Sequence, residues 1–407
     1  MFIIIVAIAC IIPIAGFVLA LIYFNEYRKP MLSALLCGIS FSAIFYGYIA
    51  DQGGDIYRHM DNLYLFQDIP IYDAFDLLKA QHVSVVFTWD IWSWGIAQLG
   101  NFYLLQSSAA FIGYSIITYI IFDYSKINKL PSYRWLPYLL ITLVAFPPLD
   151  IAVGIRNANA LILCGLAIYN YYIKGQNKYS VFFILLIALL LHHSIIIVIL
   201  IWLILPFFIW HRCLCLLIIF AFISLFNNYQ DYMQIFSGSN FMMANLFTNT
   251  MYSAATYQNW DFNDSFHYLV STIWRSWFTI SLWICAKAGL KKITVQKDIY
   301  DNLHTIMNFS LFVFAFSLLL LLIIGNNASR FLGLSSLLSV IVLMSTKMDL
   351  CRYENGKTYI WKVFVIVGAL GNLLLYLYDM NWGTGSLHSL IISTVLGYIS
   401  QFAMQLD

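Results

Sequence analysis

A polar motif after the second apolar segment places an acid and a base one helical turn apart. Asp55 and Arg58 are three residues apart, so on a helix they share a face, and His59 follows directly. Gly53 and Gly54 precede them and allow a sharp turn of the backbone. The motif indicates either part of a substrate site or a solvated loop with a local ion pair.

Arginines within apolar segments are the second feature that could carry chemistry. Arg156, followed by Asn157, lies near the start of such a segment, where a buried guanidinium needs an anion or a carbonyl as partner. An ion pair with Asp150 or another aspartate is the structural alternative. Arg330 opens a later segment, where the free N–H groups of a helix start add positive potential. The alternative for Arg330 is a side chain that extends to the lipid headgroups.

One more arginine and a histidine pair complete the set. Arg275 lies between Trp274 and Trp277, which indicates either a structural ion pair or a cation–π contact. His192 and His193 mark the tip of a predicted helical hairpin. Adjacent histidines on a helix point in different directions, so we expect at most one of them, His193, to face a site. The alternative is a hydrogen-bonded structural histidine, and this spacing does not suit a metal pair.

A loop over 229–265 contains no lysine or arginine and is rich in aromatic residues. Rings such as those of Tyr257 and Trp260 can pack on the C–H faces of sugars, and Asp261 could bind sugar hydroxyls. Alternatively, the loop folds back and buries its rings at a membrane interface, where tryptophan and tyrosine are favoured.

The composition defines the elements that must position these residues. Of 407 residues, 62% are hydrophobic and only 10% are charged, whereas a soluble domain has about 25% charged residues. This excludes a soluble enzyme, a disordered protein and a nucleic-acid-binding protein. The seven cysteines form no CxxC pair, so neither a disulfide framework nor a zinc site is indicated. We expect a single membrane-embedded, all-α domain over 1–407.

Apolar segments predict a polytopic integral membrane protein with about 12–13 transmembrane helices. The first, over 2–24, lacks the basic start of a cleavable signal and is predicted to be a retained helix. The predicted helices cover 2–24, 31–50, 101–122, 134–149, 151–173, 178–192, 194–210, 213–228, 266–286, 303–325, 329–346 and 359–378, with a weaker candidate at 385–404.

The positive-inside rule orients these helices. With the N-terminus outside, most of the 21 lysines and arginines fall on the cytoplasmic side. This requires that the tryptophan-rich stretch over 83–99 lies on the outer surface and does not cross the membrane. The outer side then has two long loops, over 51–100 and 229–265.

The same orientation brings the candidate site residues to one face of the membrane. We expect the following side chains there: Asp55, Arg58, His59, Arg156, His193 and Arg330. Several arginines with few lysines suit forked binding of phosphate oxygens. An anion site beside sugar-binding aromatic loops indicates a lipid-linked pyrophosphoryl saccharide as substrate.

The sequence resembles the Wzy/EpsG family of bacterial polysaccharide polymerases, which make O-antigen, capsule and exopolysaccharide. The resemblance rests on a D-x-x-R-[HY] motif at 55–59, on Arg156 with Asn157 opening a middle helix, and on the downstream pair His193-Ser194. Their general order covers roughly residues 30–345. The resemblance implies a GT-C-like membrane glycosyltransferase in the bacterial inner membrane, with its active site facing the periplasm.

Such polymerases use undecaprenyl-pyrophosphate-linked oligosaccharides as donor and acceptor, within membrane lipid, and need no nucleotide sugar. The growing glycan moves onto the non-reducing end of a new lipid-linked unit. We expect no cofactor, because arginines can replace a metal cation at the pyrophosphate. A chain-length regulator and a flippase are conceivable partners.

Residue roles follow from this resemblance together with the chemistry above. Arg156 and Arg330, with Arg58 and Arg275, are predicted to bind the pyrophosphate. His193 is the first choice for the base and Asp55 the second. Sugar or acceptor binding is predicted for His59, Asn157, Tyr257, Trp260 and Asp261. The alternative functions are an O-antigen ligase, a polysaccharide flippase and a membrane O-acyltransferase.

Overall fold

The computed structural model is helical throughout the part of the chain that it describes. The described residues are 1–46, 55–80, 87–210, 265–292, 297–324, 329–346 and 357–382. Within these ranges the structure has sixteen helices and no strand. The predicted all-α class is therefore confirmed.

The helix bounds follow the apolar segments closely in most of the chain. The first eight helices are α1 (Phe2–Ile11), α2 (Pro13–Tyr27), α3 (Pro30–Phe45), α4 (Asp55–Phe66), α5 (Ile71–Ala80), α6 (Phe87–Gln98), α7 (Leu104–Ile127) and α8 (Ser132–Ala145). The next eight are α9 (Pro148–Val153), α10 (Ile155–Tyr172), α11 (Lys178–Leu191), α12 (Ile195–Trp210), α13 (Ser265–Leu290), α14 (Lys297–Ile324), α15 (Ser329–Ser345) and α16 (Lys357–Trp382). The predicted helices over 213–228 and 385–404 lie outside the described residues.

The single helix predicted over 2–24 is wrong. The chain reverses at the proline that opens α2, because proline has no N–H to continue α1. The rings of Phe2 and Tyr23 lie 6.4 Å apart. Gly16 is so close to Ala9 that a Cβ added to Gly16 would lie 2.3 Å from the Ala9 Cα. α1 therefore runs antiparallel to α2, and the N-terminus lies beside the end of α2.

α3 and α7 form an antiparallel pair that brackets the segment between them. The Ser42 and Ser107 hydroxyl oxygens are 2.7 Å apart, and the Gln106 side chain donates a hydrogen bond to the Phe45 carbonyl. The chain therefore leaves and re-enters the bundle at the same end. The segment between them therefore makes no net crossing of the bundle, and the location of 83–99 on the outer surface stays a prediction. The predicted loop over 51–100 is, however, largely helical, since α4, α5 and α6 lie within it.

The two ends of the bundle differ in chemistry. At one end, here called the basic end, the Arg28 guanidinium donates to the Leu130 carbonyl. Lys174 pairs there with Asp123 at 2.9 Å, and the Tyr169 hydroxyl donates to the same carboxylate. The opposite end, here called the site end, carries the turn over 192–194 between α11 and α12 and the starts of α10 and α15.

Small and hydroxylated residues hold the helices around the site end together. A Cβ on Gly165 in α10 would lie 2.5 Å from a Leu337 methyl in α15. The Thr279 and Ser336 hydroxyl oxygens, on α13 and α15, are 2.9 Å apart, and the Ser310 hydroxyl of α14 donates to the Ser335 carbonyl. Close approach and hydroxyl pairing of this kind are typical of helices packed in a membrane.

One helix in the described residues, α7, is long and apolar enough by itself to cross a membrane, and the other apolar helices there are shorter. The number of about 12–13 spans, the GT-C-like architecture and the single domain over 1–407 stay predictions.

Candidate functional site

Positively charged and aromatic side chains from four helices and one turn meet at the site end. We call them the arginine–histidine cluster, which consists of His59, Trp89, Arg156, His192, His193 and Arg330. Most of these residues were predicted from the sequence to share one face, and the structure does bring them together.

Trp89 of α6 is the aromatic centre of the cluster. The Arg156 Cζ lies 5.3 Å from the centroid of the Trp89 ring, which is a cation–π distance. The His59 ring of α4 lies 4.7 Å from the same indole. Trp89 is only 5% exposed. The indole thus contacts side chains of both α4 and α10 and places the start of α10 beside the polar motif at 55–59.

The histidine pair lies in the turn between α11 and α12, outside both helices. The two rings stack with their centroids 4.8 Å apart. The Ser194 N–H donates to His192 Nδ1 at 3.2 Å, and the Ser194 hydroxyl donates to the Asn157 side-chain carbonyl at 3.3 Å. The Ser194 hydroxyl oxygen also lies 2.8 Å from His192 Nδ1, and which of these two atoms donates depends on the tautomer of the ring.

Both histidines have lowered pKa values because of burial and of the neighbouring arginines. Burial lowers the pKa of His193 most, and Arg156 lowers it further, to about 4. The pKa of His192 is well below its ordinary value, again chiefly through burial, with added repulsion from His193, Arg156, Arg330 and His59. Both rings are therefore neutral at pH 7 and can accept protons or donate hydrogen bonds.

Arg330 enters the cluster from the first turn of α15. Its guanidinium lies against the backbone of Gly154, the residue between α9 and α10. Gly154 precedes the α10 start that carries Arg156. Arg156 and Arg330 both lower the pKa of His192, so the two guanidinium groups lie near the same ring and form a positive site suited to the oxygens of a phosphate or diphosphate.

Arg275 of α13 binds the aspartate of α9. Its Nη1 lies 2.6 Å and its Nη2 3.4 Å from the two carboxylate oxygens of Asp150. The structural ion pair considered for Arg275 is therefore present. Its partner is Asp150, the aspartate that was considered as an alternative partner for Arg156. The pair anchors the short helix that leads into Gly154 and Arg156. A role for Arg275 at the pyrophosphate stays a prediction.

Other predicted site residues have simpler outcomes. Asp55 and Arg58 lie on α4, the helix that brings His59 to Trp89, so the helical spacing expected for them is present. Asn157 is buried and accepts the Ser194 hydroxyl. The residues predicted to bind sugar in the long loop lie outside the described residues: Tyr257, Trp260 and Asp261.

Three members of this region were not expected from the sequence. The sequence reasoning treated His192 and His193 as helical neighbours with only one facing the site, whereas a turn stacks both rings near Arg156. Trp89 was predicted only as an interfacial tryptophan. Gly154 was not expected at the site, although a glycine two residues before an arginine in an apolar segment is a signal for close backbone contact.

The sequence also matches a known protein family. Residues 54–382 match the EpsG family, and this range contains every residue of the arginine–histidine cluster. No curated protein and no solved structure matches the chain significantly. The family match covers most of the sequence and confirms the resemblance inferred from the motif at 55–59, Arg156 and His193. The chain belongs to the EpsG family.

Proposed function

We propose that this chain is a polysaccharide polymerase that uses undecaprenyl-pyrophosphate-linked repeat units as both donor and acceptor. Membership of the EpsG family supports a membrane protein with a polymerase-related, glycosyltransferase-like function. The finer assignment of the substrate depends on the chemistry of the arginine–histidine cluster.

One observation carries the proposal: two arginines from different helices converge beside two neutral histidines at a single end of the bundle. Arg156 is held by Trp89, and Arg330 lies against Gly154. Guanidinium groups bind phosphate oxygens in a forked geometry that a lysine ammonium does not reproduce. The leaving group of a lipid-linked donor is a diphosphate, which is the anion that such a pair fits.

The proposed reaction is a glycosyl transfer. A hydroxyl oxygen at the non-reducing end of the acceptor unit forms a bond to the anomeric carbon of the donor glycan. The bond between that carbon and the pyrophosphate oxygen breaks, and undecaprenyl pyrophosphate leaves with the electron pair. Arg156, Arg330 and Arg58 would stabilise the charge that develops on the leaving group.

The acceptor hydroxyl loses its proton to a base or to water during this step. His193 is the first candidate, since its neutral ring can accept a proton at pH 7. Asp55, at the start of α4, is the second. A pyrophosphate is a good leaving group, so replacement of either base would leave residual activity.

The unequal ends of the bundle support a location for the proposed reaction. Arg28 and Lys174 lie at the basic end, and basic residues favour the cytoplasmic side. The arginine–histidine cluster would then face the periplasm of a bacterial inner membrane. That location suits donors presented by a flippase and allows a chain-length regulator to act on the product.

The test uses the purified full-length protein in lipid nanodiscs with a synthetic lipid-linked repeat unit. A ladder of longer lipid-linked products, formed without nucleotide sugar, is the expected result. Transfer of the glycan to lipid A-core, without a ladder, would instead make the chain a ligase. Movement of the unit across a proteoliposome membrane without new glycosidic bonds would indicate a flippase. Acyl transfer to the glycan would indicate an O-acyltransferase.

A further inference from the structure

The junction between α9 and α10 contains a glycine whose backbone angles do not require glycine. Gly154 has φ −84° and ψ 37°, and a negative φ of this size is open to residues with side chains. The reason for glycine at this position must therefore be the space around its Cα.

That space is filled by Arg330. A Cβ added to Gly154 would lie 2.8 Å from the Arg330 Cζ and 3.0 Å from its Nε. It would also lie 2.7 Å from the Asp150 carbonyl oxygen, which accepts the Gly154 N–H at 3.1 Å. An alanine here would therefore displace the guanidinium and press on the last turn of α9.

The position of Gly154 links the two arginines. Arg156 lies two residues further along, at the start of α10, and its guanidinium lies over the Trp89 ring. Arg330 comes from α15, which packs along α10 through Gly165 and Leu337. Without a side chain at Gly154, the α15 guanidinium can lie directly on the chain segment that carries Arg156.

We propose that Gly154 is a positioning residue, which sets the distance between Arg330 and Arg156 so that both guanidinium groups contact one lipid-linked diphosphate. The inference rests on the proposed function for the identity of the ligand. Gly154 itself touches no substrate: it acts through Arg330. The two helices α10 and α15 thereby contribute one arginine each to a single anion site.

A double-mutant cycle tests this role, because positioning through Arg330 makes the two substitutions non-additive. The readout is the Kd of the full-length protein in nanodiscs for undecaprenyl pyrophosphate, measured beside the rate of ladder formation. Gly154→Ala should weaken binding by about ten-fold or more in the natural background and by less than about three-fold in the Arg330→Ala background. Equal losses in both backgrounds would show that Gly154 acts only on the α9 backbone.

Gly95→Ala is the matched control, since a Cβ on Gly95 of α6 meets nothing within 4 Å; it should bind like the natural protein. If Gly154→Ala does not fold, Arg330→Lys serves instead, because it keeps the charge and removes the guanidinium that lies beside Gly154. Its Kd should rise about ten-fold or more, and unchanged binding would overturn the inference.

The two proposals fail in different ways. Diphosphate binding without ladder formation by the natural protein would remove the polymerase proposal, and the binding cycle would still decide the role of Gly154. Ladder formation with additive losses in the cycle would remove the role of Gly154 alone. A natural protein that neither binds the diphosphate nor forms a ladder would overturn both.

Discussion

Replacement of Arg156 by lysine distinguishes a positioned guanidinium from a simple positive charge. Its Cζ lies 5.3 Å from the Trp89 ring centroid. Lysine would keep the charge and lose the planar fork and much of the aromatic contact. We expect Arg156→Lys to lower the rate of chain elongation by about 10²-fold or more, as for other groups that stabilise a developing anion. Ladder formation in nanodiscs, at equal protein levels, measures this.

A second arginine provides the control for Arg156. The Arg134 Cζ lies 5.8 Å from the Tyr133 ring centroid, on α8 close to the basic end. Arg134→Lys makes the same chemical change away from the cluster and should leave elongation within about two-fold of the natural rate. Natural activity in Arg156→Lys would remove Arg156 from the site.

The pH dependence of the reaction tests His193 as the base. Burial, and then Arg156, lowers its pKa from 6.5 to about 4, so the ring is neutral and able to accept a proton at every pH above that value. We therefore expect kcat/KM for the donor to stay level from pH 8 to about 5 and to fall only as the pH approaches 4. A fall centred near 6.5 would contradict this assignment.

Substrate binding should move the fall in activity at low pH, the acid limb of the pH profile, to a higher pH. A bound diphosphate places negative charge beside Arg156 and His193, which offsets the repulsion and raises the histidine pKa. The acid limb of kcat should therefore lie at a higher pH than that of kcat/KM. The residual activity of His193→Gln should lack both limbs, and limbs that persist in this variant would assign the base to Asp55 or another group.

At the scale of elements, α9 holds the site in place through the pair of Asp150 and Arg275. Both side chains are partly buried, and their closest atoms are 2.6 Å apart. Asp150→Asn would leave the Arg275 charge without this carboxylate, which we expect to destabilise the protein by about 2 kcal/mol, below the range for fully buried pairs. The double variant Asp150→Asn/Arg275→Gln should lose less stability than the sum of the two single variants. Thermal unfolding in detergent measures both.

An equivalent pair at the basic end separates stability from site geometry. Asp123 and Lys174 lie 2.9 Å apart and join α7 to the end of α10. Lys174→Gln should also lower thermal stability, whereas diphosphate binding should weaken only in Asp150→Asn. If Lys174→Gln weakened binding to the same extent, the α9 pair would have no specific connection with the site.

Element positions were largely predictable because the apolar segments are long and bounded by polar residues. The predicted segment over 194–210 is α12, for example, to within a residue. Breaks within an apolar run were not predictable by hydropathy. α1 and α2 separate at Pro13, and α9 and α10 separate at Gly154. Neither break interrupts the apolar pattern: a proline opens α2 in one case, and a glycine lies between the two helices in the other.

The sequence predicted which residues belong to the site better than it predicted their contacts. An arginine in an apolar segment is costly unless it has a partner, which singled out Arg156 without any structure. Its actual neighbour, Trp89, is more than sixty positions away in a stretch that the sequence marks only as aromatic. Distant contacts of this kind depend on how α6 returns to the bundle, which a pattern along the chain does not encode.

At the scale of the whole molecule, the ends of the bundle should face different compartments, and the N-terminus provides the sharpest test. The α1–α2 hairpin places Met1 beside the end of α2, at the basic end, whereas a single span over 2–24 would place it at the site end. A cysteine-free variant can carry single cysteines at Tyr64, which is 65% exposed on α4, or at Lys126, which is exposed at the basic end.

We expect Tyr64→Cys to react with a membrane-impermeant maleimide in spheroplasts, because α4 packs against α6 at the site end. Lys126→Cys should react only after the membrane is permeabilised, since basic residues favour the cytoplasmic side. A cysteine inserted after Met1 should behave like Lys126→Cys if the hairpin is present. Labelling of that cysteine in spheroplasts, together with Tyr64→Cys, would restore the single first span. Protection of Tyr64→Cys until permeabilisation would place the arginine–histidine cluster in the cytoplasm and overturn a reaction at the periplasmic face.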